Sequence, residues 1–449
     1  MNPSARVVIT GMGWVTPLGH DIETVWSRLL AADSGVKPIR RFDAKTFPTT
    51  FAAEVEGYDH RLFVRDPSLH ETAGHHTGFA LGAAAQAWAQ SGLQAHRDAG
   101  KLDPERLGVY LGSGEGSLDF EPYVGACLAG WPEGARELDA PAWAETALRL
   151  ASAEAEIEQE PNMPLAHLAL EFEARGPAYN CLTACAASVQ AIGEASQILQ
   201  RGDADVMLTG GAHTMIHPFG VTGFNRLTAL SNRNDDITTA SRPFSRDRDG
   251  FVMGEGAGIL VLETLEHAQA RGATPLAEVA GYGSTADAYR ITDIHPEGRG
   301  AAGAMRQALD MAGVSRGDID WIAAHGTGTK ENDSIETRAI KAVFAPPEGP
   351  DAPAPTDFSA VPPVSSIKSM MGHLIAAAGV VQCIAAVLAI RDSKIPPTAN
   401  LRDPADDCDL DYVPLEARDV ASAGGSVDTV LSNSFGFGGQ NDAVVIRRV

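Results

Sequence analysis

Trp321-Ile-Ala-Ala-His325-Gly-Thr-Gly-Thr329 is a short apolar run that stops at an imidazole and two glycines. A run of this kind is what a strand covered on both faces looks like, and glycine at its end lets the backbone turn or approach a ligand closely. The arrangement recurs along the chain. Arg6–Thr10 precedes Gly11-Met-Gly13, Leu107–Leu111 precedes Gly112-Ser-Gly114, Asp205–Leu208 precedes Thr209-Gly-Gly211, and Val427–Leu431 precedes Ser432 to Gly439. Helical patterns fill the gaps, at Ile22–Ala32, Thr72–Ser91, Ala186–Arg201, Thr264–Arg271, Gly300–Ala312, Asp333–Phe344 and Leu374–Asp392. Strand–helix alternation predicts an α/β body with a mostly parallel sheet. Val7–Gly13 is echoed by Glu278–Gly283, each opening a new unit, which divides the chain into halves at 1–267 and 268–449.

Composition bounds the partners. The chain has 449 residues, ordinary hydrophobic content, and a net charge of 35 − 58 = −23. Such a surface repels phosphates and anionic lipid, so neither nucleic acid nor a membrane is expected as a partner. The most apolar stretch, His373 to Ile390, is interrupted by Gln382 and rich in Ala, which suits a buried core helix better than a membrane span. MNPSARVVITGMG does not read as a secretory leader, and the five cysteines follow no pairing pattern. A cytoplasmic protein without disulfides is expected. Residues 117–163 form an acidic stretch, and residues 345–362 are Pro-rich and read as a surface loop.

Several residues carry chemistry. Cys185, in Asn180-Cys-Leu-Thr-Ala-Cys185-Ala-Ala-Ser188, stands at the start of a helix that ends at Arg201-Gly202. Unpaired amides and the helix dipole there lower a thiol pKa from about 8.5, and an adjacent N–H can hold an oxyanion. Taken alone, the segment equally fits a small buried apolar side chain. Cys181 reads as structural, and no second ligand pair makes a metal site with it. His325 stands at the carboxyl end of a strand, beside the hydroxyls of Thr327 and Thr329. Lys368 and His373 lead into the most apolar helix, where charged or polar groups need partners or a chemical role. Asp333 and Glu336 share a helix face near its first turn. They suit the helix dipole, and they also offer a partner for Lys368. Phe435-Gly-Phe-Gly-Gly439 reads as a hinged loop carrying large apolar side chains, either a gate or a core turn. Gly254-Glu-Gly-Ala-Gly258 and Gly112-Ser-Gly-Glu-Gly116 lack the spacing of nucleotide loops.

Five motifs occur in order: Thr183-Ala-Cys185, Pro243-Phe-Ser-Arg-Asp-Arg-Asp-Gly-Phe-Val-Met-Gly-Glu-Gly-Ala-Gly258, Ala324-His-Gly-Thr-Gly-Thr329, Lys368-Ser-Met-Met-Gly-His373 and Asn433-Ser-Phe-Gly-Phe-Gly-Gly439. Together they resemble the elongating β-ketoacyl-acyl-carrier-protein synthases. The resemblance runs from about Val7 to the C-terminus and is weakest between 117 and 163. It implies an α/β thiolase-like fold, two duplicated α/β halves in five α-β-α-β-α layers, assembled as a homodimer. It implies a decarboxylative Claisen condensation between a Cys-bound acyl chain and a malonyl thioester. The substrates are phosphopantetheine thioesters carried by an acyl carrier protein, with no other cofactor and no metal. Cys185 is then the nucleophile. His325 and His373 promote loss of CO₂ and steady the enolate. Lys368 is a structural cation tied to Glu336, with Asp333 in the same network. The amides of Cys185 and Phe437 form the oxyanion hole, and Phe437 with Phe435 forms the gate. Thr327 and Thr329 contact pantetheine, and Glu115 and Phe224 contact the substrate.

Departures from the family pattern sharpen the reading. Glu115 stands where an apolar residue lines the acyl channel, which predicts a shorter or more polar channel. Gln382 replaces a Glu that helps hold a monovalent cation, so that ion is not expected. His75 and His76 stand where basic residues for carrier docking are expected. Glu115 and the acidic stretch tilt the reading towards a dedicated polyketide or unusual-lipid pathway, with fatty-acid elongation its close rival. A silent subunit that shapes a partner's product is opposed by the intact Cys185, His325, Lys368 and His373.

Overall fold

The computed structural model describes residues 5–115, 118–291, 294–346 and 356–449. Gly116, residue 117 of the acidic stretch and residues 347–355 of the Pro-rich loop lie outside them. Ten strands build the frame: β1 Val7–Val15, β2 Leu107–Ser113, β3 Ala178–Cys181, β4 Val206–His213, β5 Gly256–Thr264, β6 Ala277–Ala286, β7 Trp321–Ala323, β8 Val364–Ser365, β9 Thr429–Gly436 and β10 Gln440–Arg447. Their order in space is β8-β7-β9-β10-β6-β1-β5-β4-β2-β3. Cut between β6 and β1, this is one five-strand pattern used twice. Each half has three parallel strands (β3-β2-β4 and β8-β7-β9) followed by two antiparallel ones. The sheet is therefore mixed rather than mostly parallel. The difference lies in connections such as that from β9 to β10, a hairpin closed between Gly436 and Gln440 with no helix inside it.

The two halves meet where Val7, Val8 and Ile9 pair with Val279, Glu278 and Ala277. The echo in the sequence has a packing cause. A methyl carbon added at Gly11 or Gly13 would lie 2.0 or 2.1 Å from the carbonyl oxygens of Ala87 and Ala83. At Gly281 and Gly283 it would lie 2.1 Å from those of Ala308 and Ala304. Each glycine pair thus lets an outer helix lie flat on its strand: α1 (His75–Ser91) on β1, and α3 (Arg299–Ala312) on β6.

Two further helices of equal length fill the middle. α2 (Ala187–Arg201) and α5 (Ala378–Asp392) touch each other and strands of both half-sheets. Every residue of α5 from Ala378 to Ile390 is buried. Together with the turn before it, Ile375–Asp392 is long and apolar enough to cross a membrane, but protein encloses it here. α4 (Lys330–Phe344) packs on α3 in the outer layer. The layers run α1, first half-sheet, α2 with α5, second half-sheet, α3 with α4. The five cysteines are unpaired. Gly281→Ala is expected to lower unfolding free energy by about 1–3 kcal/mol in urea, because the helix must lift off the strand. Gly223→Ala, where an added methyl meets nothing within 4 Å, should be neutral or stabilising. Equal effects from the two would refute the packing account.

Candidate active site

Cys185 and His373 stand at matching turns of the two halves, Cys185 inside its turn and His373 two residues before its own. Before α2 the chain makes a tight turn, Ala184–Ala186, entered through Ala184 at φ 47°. Before α5 it makes the same turn, Ile375–Ala377, entered through Ile375 at φ 46°. Left-handed backbone at a residue with a β-carbon is strained, and the packed surroundings must hold it. The two turns face each other and bring His373 Nε2 to 3.0 Å from Cys185 Sγ. The amide of Ile375 donates to His373 Nδ1 at 3.2 Å. A neutral His373 therefore carries its proton on Nε2, directed at sulfur.

His325 follows β7. Its ring centre lies 5.3 Å from that of His373, at an interplanar angle of 84°. Its loop is held by carboxylates of α4. The amides of His325 and Gly326 donate to Glu336 at 2.8 and 2.7 Å, and Asn433 Nδ2 donates to the same group at 3.2 Å. Asp333 accepts from the amides of Phe244, Thr327 and Gly328 and lies 3.5 Å from Arg248 Nε. The shared face of Asp333 and Glu336 is thus real, but both acids bind backbone. Lys368 is not in direct contact with Glu336. Its Nζ donates to Gln382 Oε1 at 2.5 Å. The oxygens of Glu336 bind the loop it holds, so the carboxylate favours the Lys368 ammonium through space rather than by contact.

Burial dominates the electrostatics. It pushes the Cys185 thiol up to about 11, against the pull of Lys368 and of the amides of Phe437 and Cys185. The lowering expected from the helix terminus is outweighed, since a buried thiolate loses its hydration. Burial, then the charge of Lys368, holds both imidazoles well below their ordinary range, so both are neutral. Burial raises Asp333 and Glu336 and lowers Lys368 to about 8.

A cavity of about 930 Å³ reaches this cluster, lined by Cys185, His325, His373, Thr327, Thr329, Phe435 and Phe437 among others. Phe435 is buried against His325, with ring centres 5.6 Å apart, while Phe437 is exposed and faces Phe224 at 6.4 Å. Gly438 and Gly439 turn the hairpin at φ 95° and 80°, which glycine alone adopts easily. Glu115 lies apart, exposed and beside His217, so it does not line this cavity. Cys181 donates to the Ala187 carbonyl at 3.2 Å, a structural contact. The ligand atoms of Cys185, His325 and His373 lie within 4.8 Å of one another, a set that suits a thiophilic ion. The roles of Asn433, Gln382 and Arg248 were not read from sequence. Each had left a signal: Gln382 interrupts the most apolar stretch, Asn433 opens the last motif, and Arg248 is a cation inside the motif from Pro243 to Gly258.

Known proteins share this architecture. The profile for "Beta-ketoacyl synthase, N-terminal domain" matches residues 4–268, and that for "Beta-ketoacyl synthase, C-terminal domain" matches residues 276–402. A 3-oxoacyl-[acyl-carrier-protein] synthase 2 of Coxiella burnetii is 41% identical over 445 residues, covering 99% of each chain. One of Staphylococcus aureus is 39% identical over 448 residues, covering 100% of this chain and 99% of its own. Among solved structures, the ishigamide ketosynthase/chain length factor superposes with a TM-score of 0.84 at 32% identity, covering 99% of both chains. A type II PKS acyl-carrier protein in complex with its ketosynthase bound to the hexaketide gives 0.82 at 30% identity, covering 99% of this chain and 100% of that one.

Lys368 supplies a test of the buried charge. Between about 8 and 10.5 the unfolded chain holds a proton that the folded chain has lost, so this group adds stability as pH rises through that interval. The wild type is expected to gain stability relative to Lys368→Met in urea titrations across it. Parallel curves would show that the ammonium is not buried.

Proposed function

The chain belongs to the β-ketoacyl synthase family, and from that premise we infer that Cys185, His325 and His373 carry out its condensation. It is an acyltransferase of the 3-oxoacyl-[acyl-carrier-protein] synthase kind. The observation that carries the residue assignment is the 3.0 Å contact of His373 Nε2 with Cys185 Sγ beside a second buried, neutral imidazole.

The steps follow from the geometry. The sulfur attacks an acyl thioester, and the amides of Cys185 and Phe437, which already pull on the sulfur, take the oxyanion. The carrier thiol leaves with the proton. A malonyl thioester then enters along Thr327 and Thr329, and its carbonyl oxygen accepts from His325 and His373. Loss of CO₂ forms an enolate whose charge these two neutral donors hold. Its carbon attacks the Cys185 thioester, the carbon–sulfur bond breaks, and the sulfur leaves as thiolate, taking up one proton from solvent after the 3-oxoacyl carrier departs. Neutral imidazoles suit this chemistry, because they donate to a developing charge without first binding the malonyl carboxylate tightly. Burial keeps water from protonating the enolate. Phosphopantetheine arrives with the substrates, and no other cofactor is assigned.

An acyl carrier protein is the protein partner. A second copy of the chain is the other partner assigned. β3 is an edge strand; Tyr179 on it and Leu182 just after it are exposed by 54% and 53%, and a matching edge would extend the sheet. Exposed Leu128, Trp131 and Leu148 of the acidic stretch offer further apolar cover. The silent-subunit alternative is not favoured, and neither is the tilt towards a dedicated pathway. That tilt leaned on Glu115, which stands outside the cavity at Cys185, and on the acidic stretch, while the curated relatives are 3-oxoacyl-[acyl-carrier-protein] synthases.

Incubation with acyl- and malonyl-carrier proteins should give 3-oxoacyl carrier by mass, and Cys185→Ala should give none. His325→Ala should still acquire acyl groups on Cys185 but condense about 10²–10⁴-fold more slowly. Loss of acylation together with condensation would overturn the division of labour. With a net charge of −23, raising salt should leave the carrier KM flat or lower it. A steep rise would mark docking on a basic patch.

A further inference from the structure

Lys368 is 2% exposed, and its hydrogen bond goes to an uncharged group. Gln382, on α5 and equally buried, accepts from Lys368 Nζ through Oε1. Its Nε2 donates to the carbonyls of Ala323 at 3.2 Å and Asn433 at 3.1 Å, and to Ser432 Oγ at 3.4 Å. These partners decide which way round the amide lies. Lysine only donates and carbonyls only accept. The flipped amide would set N–H₂ against the ammonium and oxygen against two carbonyl oxygens. Ala323 ends the strand that delivers His325, and Ser432 and Asn433 lie on the strand that delivers Phe437. One amide therefore ties the cation to both.

Charge is the second property. Gln382 orients the ammonium without cancelling it. Glu336 is occupied by the amides of His325 and Gly326 and by Asn433. Glu336 and Asp333 still attract the ammonium through space without touching it, and its field also reaches the thiol and both imidazoles.

We propose that Gln382 is a positioning residue for the condensation: it aims the Lys368 ammonium and, by staying neutral, leaves that charge acting on Cys185 and on the enolate. The enolate half of this statement rests on the condensing function above. The Cys185 half is measurable without it.

The readout is the rate at which iodoacetamide alkylates Cys185 in the intact protein, with the modified residue located by peptide mass. Gln382→Glu cancels the charge and should slow alkylation about tenfold, the effect of one pKa unit on the thiolate fraction. Gln382→Met keeps neutrality but releases the ammonium and should slow it less. Lys368→Met should slow it as well, and Gln382→Met should add nothing on that background, since it acts through Lys368. Condensation rates should fall in the same order. A folded Gln382→Glu protein alkylated at the wild-type rate would overturn the proposal, as would multiplying effects of Gln382→Met and Lys368→Met. If Gln382→Glu fails to fold, the Met pair still decides. If the variants shift alkylation as expected but the wild type makes no product, the condensing reading fails and the role of Gln382 at the thiol stands.

Discussion

The contact between the Cys185 sulfur and His373 Nε2 is the constraint to which the rest of the molecule conforms. Its two atoms come from different halves of the chain. Both stand at left-handed turns that open 15-residue helices, and those helices lie side by side between the sheets. A shift of either helix along its axis would break the contact. The glycine pairs in β1 and β6 serve the same end from outside, by fixing how closely the outer helices clamp the sheets.

Burial makes the site useful and also expensive. It excludes water from an enolate, but it pushes the thiol up to about 11 and would leave any buried charge costly. The structure answers with donors and one cation rather than with an acid–base pair. Backbone amides and Lys368 pull the sulfur towards its thiolate. The carboxylates of Asp333 and Glu336 are spent on loop amides, where each stays hydrogen-bonded. The result is a cluster in which the imidazoles remain neutral donors. That is the protonation state the proposed condensation calls for.

Much of this was legible in the chain, for reasons that can be named. Apolar runs ending in glycine mark strands that stop at a site, and so His325 and the Phe435–Gly439 hairpin could be placed. Gly11 and Gly281 could be seen as an echo because close helix packing needs the same residue twice. Strand direction could not be read, since β10 looks alike whether a helix or a hairpin precedes it. The partner of Lys368 could not be read either. Glu336 was the charged candidate within reach by sequence, and only the assembled fold shows its oxygens already taken. The thiol illustrates a scale problem: a helix terminus is a local feature visible in sequence, whereas the desolvation that outweighs it is a property of the whole core. The surroundings of Glu115 could not be read for the same reason, because which surface a loop faces is set by distant elements.

The shared central layer has a bearing on how the protein is made. α2 emerges from the ribosome with the first half, yet one of its flanks is covered only by strands and by α5 of the second. Until the carboxyl-terminal segments have been synthesised, the nascent chain carries an uncovered apolar ridge. A first half made alone would leave that ridge uncovered, and a gene split near the midpoint would separate the two helices that share the central layer.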